Sequence, residues 1–114
     1  MSAHPIKLIV FPTQDLAASA KFLTAFLGAE PYAESPYYVG YRVGEAEVGI
    51  DPNAKHEGAI AYVDTSDIKA SLKDLEAAGA TVVQEPKEVG GGLQIAQVKD
   101  PSGNVLGLRQ SPKS

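Results

Sequence analysis

The side chains whose types and spacing suit work on a small molecule are Glu47, Asp51, Tyr62 and Arg109, together with the tyrosines Tyr37, Tyr38 and Tyr41. A tyrosine or an arginine hydrogen-bonds to, or stacks on, a planar or anionic group. A carboxylate holds a cation or, once withdrawn from water, accepts a proton. Glu47 and Asp51 are therefore the candidate general bases, and Tyr38, Tyr41, Glu47, Asp51, Tyr62 and Arg109 the candidate ligand contacts. The competing use of the charged residues is a cross-strand ion pair or a rim contact. The phase of Tyr37, Tyr38 and Tyr41 is open, so an aromatic wall for a ligand and an aromatic contact at a dimer seam both fit them. Gln94 and Gln97 have opposite parity on one strand, so at most one faces the ligand.

Other chemistries lack their parts. With no cysteine, disulfides, thiolate metal ligands and a cysteine nucleophile are excluded, which fits a reducing cytoplasm. His4 and His56 lie in an N-terminal segment and an inter-repeat linker, neither with a second histidine at ligand spacing, and read as solvated loop residues. There is no Gly-x-Ser-x-Gly elbow for a serine nucleophile. Gly90-Gly91-Gly92 precedes no helix, so it reads as a hairpin or rim loop and not as a phosphate cradle. A net charge of -4 without a Lys/Arg cluster argues against a nucleic-acid partner. The apolar run Ile6–Phe11 is too short for a membrane span or a signal-peptide core, so no membrane partner is expected and the cytoplasm is the expected compartment.

The elements that must position these residues follow from periodicity. A chain of 114 residues, 44% hydrophobic and 21% charged, predicts one domain spanning 1–114. Ile6–Phe11 is rich in β-branched and aromatic residues and predicts a strand ending at Pro12. Asp15 then caps a helix whose stripe is Leu16, Ala20, Leu23 and Leu27, widened by Phe22 and Phe26, and Gly28 closes it. Between Glu30 and Asp51 the period falls to two, with turns at Ser35-Pro36 and Gly44-Glu45, predicting three short strands. The middle one holds Tyr37, Tyr38 and Tyr41.

The same syntax then recurs. Ile60–Val63 predicts a strand, Asp67 a cap, and Ile68, Leu72 and Leu75 a helical stripe ending at Gly79; Thr81–Val83, Leu93–Val98 and Val105–Arg109 predict three more strands. Leu8 precedes Asp15 by the same distance as Ile60 precedes Asp67, and Val48-Gly49-Ile50 matches Leu106-Gly107-Leu108. The chain is thus read as two βαβββ repeats, at about 6–51 and 59–110. Ile9, Phe11, Val48, Ile50, Ala61, Val63, Leu106 and Leu108 share one parity and are apolar throughout, as a face packed on helices requires. The opposite parity places Leu8, Val10, Pro12, Glu47, Gly49, Asp51, Ile60, Tyr62, Asp64, Val105, Gly107 and Arg109 on a face that mixes aliphatic, aromatic and charged groups, as a ligand-lining surface does.

The doubled βαβββ pattern, the Asp-capped helix ending in Leu27-Gly28 and the turn Asp100-Pro101-Ser102-Gly103-Asn104 before the last strand resemble the vicinal oxygen chelate superfamily. That superfamily includes glyoxalase I, extradiol dioxygenases, fosfomycin-resistance enzymes and bleomycin-binding proteins. The resemblance runs from about Ile6 to Arg109. It implies an α+β fold in which the two modules form a curved mixed sheet with helices on the convex side. It also implies that metal-binding members take their ligands, usually His or Glu, from positions matching Leu8, Gly49, Ile60 and Gly107. None of these four carries the nitrogen or oxygen donor that a divalent cation requires.

The expected function is therefore metal-free binding of an aromatic or cationic small molecule in a concave cup at a homodimer, with no cofactor. A glyoxalase-like lyase or isomerase, and a metal-free enzyme using Glu47 or Asp51 as general base, are the alternatives.

Overall fold

The computed structural model describes residues 4–54 and 58–112. The chain divides into two compact units, one of Lys7–Ile60 and one of Ala61–Ser114 with the residues through Ile6.

In the first unit, strand β1 (Ile6–Pro12) leads to helix α1 (Leu16–Leu27) and then to β2 (Ala33–Ser35), β3 (Tyr38–Val43) and β4 (Ala46–Asp51). The strand order is β2-β3-β4-β1, with β1 parallel to β4 and the other pairs antiparallel. Asp15 caps α1 by accepting the Ala18 amide at 3.1 Å, and Gly28 ends the helix in the left-handed region at φ 66°. Each cap stabilises the helix end by supplying a partner for a backbone group the helix itself leaves unpaired. Leu23 of α1 packs with Val39, Tyr41 and Ile50, flanked by Leu16, Ala20, Leu27 and Val48.

Phe22 and Phe26 do not widen this stripe as expected. They are 66% and 73% exposed and stack on each other, ring centroids 6.2 Å apart. The narrow stripe Leu16, Ala20, Leu23 and Leu27 already covers β3 and β4, which leaves the neighbouring helix face outside the core. Tyr37 also departs from expectation, lying in the turn before β3 and largely exposed.

The second unit repeats the plan. Strand β5 (Ile60–Asp64) precedes α2 (Ile68–Ala77), β6 (Thr81–Glu88), β7 (Gln94–Lys99) and β8 (Val105–Gln110). The order is β5-β8-β7-β6, with β5 parallel to β8. Asp67 caps α2 through the Ala70 amide at 3.1 Å. Ile68, Leu72, Ala96, Val98 and Leu108 form the core, with Val63, Leu75, Ala80 and Val82 against it. The likeness reaches side-chain detail: Thr13 pairs with Ser19, and Thr65 with Ser71, each at 2.6 Å across the same interval of six residues.

Strand β6 runs five residues beyond the expected Val83, through Pro86. It ends the strand order of its unit, where a proline removes no ladder hydrogen bond that a second neighbour needs, and its pairing with β7 shifts register twice. Gly90, Gly91 and Gly92 all have positive φ in the connection to β7, closed by the Val89 amide on the Leu93 carbonyl at 2.9 Å; the glycine run is a hairpin loop. The turn Asp100–Asn104 is held by the Asp100 carboxylate. Its Oδ1 accepts the amides of Ser102 at 2.9 Å and Asn104 at 2.8 Å, and its Oδ2 accepts the Asn104 side-chain amide at 2.9 Å.

Candidate functional site

The face opposite α1 is built over two glycines. Gly40 of β3 and Gly49 of β4 are directly paired in the ladder, so two side chains are missing from the same spot. Tyr38 fills the gap. A Cβ built at Gly49 would collide with the Tyr38 hydroxyl and ring, and one built at Gly40 would lie 3.1 Å from Tyr38 Cε2 and 3.2 Å from Tyr32 Cε1. Tyr38 and Tyr32 thus lie down on a floor that only glycine leaves open.

Arg42 and Glu47, directly opposite each other in the same ladder, stand on this face beside the rings. The Tyr32 hydroxyl donates to Glu47 Oε1 at 2.5 Å, and the Arg42 guanidinium carbon sits 4.3 Å from the centroid of the Tyr32 ring. The arrangement offers aromatic faces, a carboxylate and a cation within one patch of β3 and β4, which suits recognition of a polar or charged planar group.

In the second unit, Gly107 of β8 pairs with Tyr62 of β5, and the Tyr62 ring occupies the space a Cβ at Gly107 would need. Tyr62 is only 6% exposed and its hydroxyl accepts from Gln97 Nε2 at 3.0 Å. Gln97, paired with Gly107, is therefore the glutamine on this face; Gln94 has the other parity. Arg109 and Asp64, paired in the β5–β8 ladder, form an ion pair with Arg109 Nε 2.8 Å from Asp64 Oδ1. That is the cross-strand pair which the sequence allows for Arg109.

One candidate falls elsewhere, and another has a turn to hold. Tyr41 is not a ligand contact: it is 0% exposed on the helix side, its hydroxyl donating to the Ala20 carbonyl at 2.8 Å and lying 3.0 Å from Thr24 Oγ1. The parity of β3 decides this, because Tyr38 and Tyr41 are an odd number of residues apart. Asp51 closes a turn, its Oδ1 accepting the Asn53 amide at 2.8 Å, so its carboxylate serves the exit from β4. His4 is exposed, and His56 lies outside the described residues.

Tyr32 and Arg42 are members of these clusters that sequence reasoning passes over, while Gln97 is one of the two glutamines between which parity left the choice. Tyr32 precedes β2 and is drawn in by its amide, which donates to the Gly40 carbonyl at 2.9 Å. The available signal was the glycines: a strand-interior glycine marks a close approach, and Gly40, Gly49 and Gly107 are each covered by tyrosine.

The fold tests directly whether a metal suits the four positions implied by the resemblance. Leu8 and Ile60 present hydrocarbon, Ile60 being wholly buried, while Gly49 and Gly107 present no side chain and their Cβ space is taken by Tyr38 and Tyr62. A divalent cation needs several nitrogen or oxygen donors at about 2.0–2.6 Å. This donor set does not fit one. Among the described residues no group of three or more His, Cys, Asp or Glu could hold an ion.

Two βαβββ units, each with a capped helix on one face and a glycine-floored patch on the other, define an α+β protein of the glyoxalase type. The profile of the Glyoxalase/Bleomycin resistance protein/Dioxygenase superfamily matches residues 6–108, and the chain belongs to that superfamily. An uncharacterized protein of Mycolicibacterium smegmatis is 24% identical over 109 residues, covering 93% of each chain. Among solved structures, a hypothetical protein from Bacillus halodurans superposes with a TM-score of 0.79 at 11% identity, covering 99% of this chain and 98% of that one. Streptomyces coelicolor methylmalonyl-CoA epimerase in complex with 2-nitronate-propionyl-CoA superposes with a TM-score of 0.72 at 20% identity, covering 96% of each. A superfamily member from Vibrio splendidus gives 0.71 at 18%, covering 96% of this chain and all of that one. At these identities the structural likeness speaks for the fold alone.

Proposed function

We propose that this chain is a metal-independent small-molecule-binding protein whose ligand lies against the face carrying Tyr38 and Glu47, and that it works as a homodimer. One observation carries the reading. At both glycines that stand where metal-binding relatives are expected to carry a ligand, a tyrosine ring has taken the space, from β3 in one unit and from β5 in the other. Tyrosine at both places, half-buried at Tyr38 and buried at Tyr62, supports a face without a chelate, on which the Tyr38 ring is the aromatic, hydrogen-bonding surface. The stacked, exposed Phe22–Phe26 pair supports self-association, because apolar groups clustered on a surface favour burial against a partner.

The test is metal analysis of the purified protein beside a fragment screen by thermal shift. The reading expects no stoichiometric zinc, nickel, iron or manganese, and it expects stabilisation by aromatic fragments that removal of the Tyr38 ring abolishes. A saturable ligand at a hundredfold excess over Kd stabilises by about 2.7 kcal/mol. Stoichiometric metal would overturn the reading.

An enzyme that uses Glu47 as a proton acceptor is the second reading, supported by the epimerase among the solved structures of the same fold. The Tyr32 hydroxyl weighs against it, since it already donates to Glu47 Oε1 and so occupies an oxygen that a substrate proton would have to reach. Turnover of an acyl-CoA or 2-oxo substrate that is lost in Glu47→Gln would favour the second reading.

A further inference from the structure

Arg42 of the β3–β4 patch lies over an aromatic ring. Its guanidinium carbon lies 4.3 Å from the Tyr32 centroid, while the Tyr32 hydroxyl donates to Glu47 Oε1 at 2.5 Å. Arg42 and Glu47 face each other across the ladder, so the cation, the ring and the carboxylate are neighbours by register and not by chance reach of long side chains. Gly40 is what permits this, because any side chain there would press on Tyr32. A cation over an aromatic face, with an anion hydrogen-bonded to the rim of the same ring, is the arrangement by which proteins recognise alkylammonium and guanidinium groups.

We propose that Tyr32 and Glu47 form an organic-cation site that the chain fills with its own Arg42, and that a ligand bearing an alkylammonium or guanidinium group binds by displacing it. This deepens the small-molecule reading of the same face and rests on it. The exposure of Arg42 and Tyr32 gives the displaced guanidinium a place in water, so the exchange needs no movement of the strands. The net charge of -4 favours the approach of a cation over that of an anion.

The experiment is a titration with benzyltrimethylammonium, followed by the amide signals of Tyr32, Gly40, Glu47 and Gly49 in nitrogen-15 NMR at low salt. Arg42→Ala should bind the probe roughly two- to fivefold more tightly than the wild type, the range of one exposed cation–π contact. Adding Tyr32→Leu should abolish that gain. Tyr32→Phe, which keeps the ring and drops the hydroxyl, should retain most of it, and it guards against misfolding in the leucine variant. Equal affinity in the wild type and Arg42→Ala, or a gain that survives Tyr32→Leu, overturns the proposal. Benzyl alcohol serves as the neutral comparator. If it binds Arg42→Ala as tightly as the cation does, the cation site is refuted while the small-molecule reading stands. If neither probe shifts these amides in any variant, the cation site is refuted, and the fragment screen decides the broader reading separately.

Discussion

Tyr62 lies flat over Gly107, its direct partner across β5 and β8, and takes the volume that any other residue at 107 would claim. The pair makes a glycine in mid-strand, ordinarily a weak choice for a strand, into a requirement. In the other unit the Tyr38 ring takes the volume above Gly49, reaching it diagonally because Gly49 pairs directly with Gly40.

Gly107→Ala and Gly49→Ala should therefore each destabilise the protein by roughly 1–3 kcal/mol, the range of overpacking a filled site. Urea denaturation measures this. The penalty at 107 should largely vanish in a Tyr62→Ala background and that at 49 in a Tyr38→Ala background, so coupling within each pair, and none between the two pairs, is the signature.

Tyr41→Phe should cost about 1 kcal/mol of stability, because the Ala20 carbonyl loses its buried donor from the Tyr41 hydroxyl. Ligand affinity should not change. Tyr38→Phe should show the reverse balance, and a thermal melt beside a binding titration separates the two tyrosines.

The carboxyl of Asp100 is held below its ordinary value of 3.8, chiefly by the hydrogen bond from the Asn104 side chain and then by the Asn104 amide. A carboxyl whose pKa is lower folded than unfolded stabilises the fold above the unfolded value and loses that contribution as pH falls through the folded one. Asn104→Ala should raise the Asp100 pKa in a carbon-13 carboxyl titration. It should also shrink the acid-dependent loss of stability below the ordinary carboxylate range, with little change in its slope near neutral pH.

Replacing Phe22 and Phe26 together by serine should change monomer stability by less than about 0.5 kcal/mol each, as expected of surface positions away from the core. Sedimentation should instead report a shift from dimer to monomer. An unaltered dimer would place the self-contact elsewhere.

The elements were legible in the chain because their signals are local. Asp15 and Asp67 stand one residue before an apolar stripe, Gly28 stands at the end of one, and the Asp100–Asn104 turn carries its own hydrogen-bonding carboxylate. Strand parity also placed Tyr62, Asp64, Gly107 and Arg109 together, since register follows from matching the two repeats. Parity alone does not resolve the tyrosines of β3, because local signals leave the starting residue of that strand open and a shift of one residue exchanges Tyr38 and Tyr41 between faces. The helix face bearing Phe22 and Phe26 departs from the sequence expectation for a related reason. Their spacing permits burial, but how wide a stripe is covered depends on which strands the helix lies on.

The amino-acid sequence by itself determined the two βαβββ repeats, their caps and turns, and the absence of donor atoms at Leu8, Gly49, Ile60 and Gly107, since these depend on residue type and short-range periodicity. Only the tertiary structure decided what fills the space above the glycines, that Tyr41 belongs to the core, and that Tyr32, Arg42 and Glu47 meet. Those facts depend on side chains from different strands competing for one volume, and the outcome of that competition is set by packing in three dimensions.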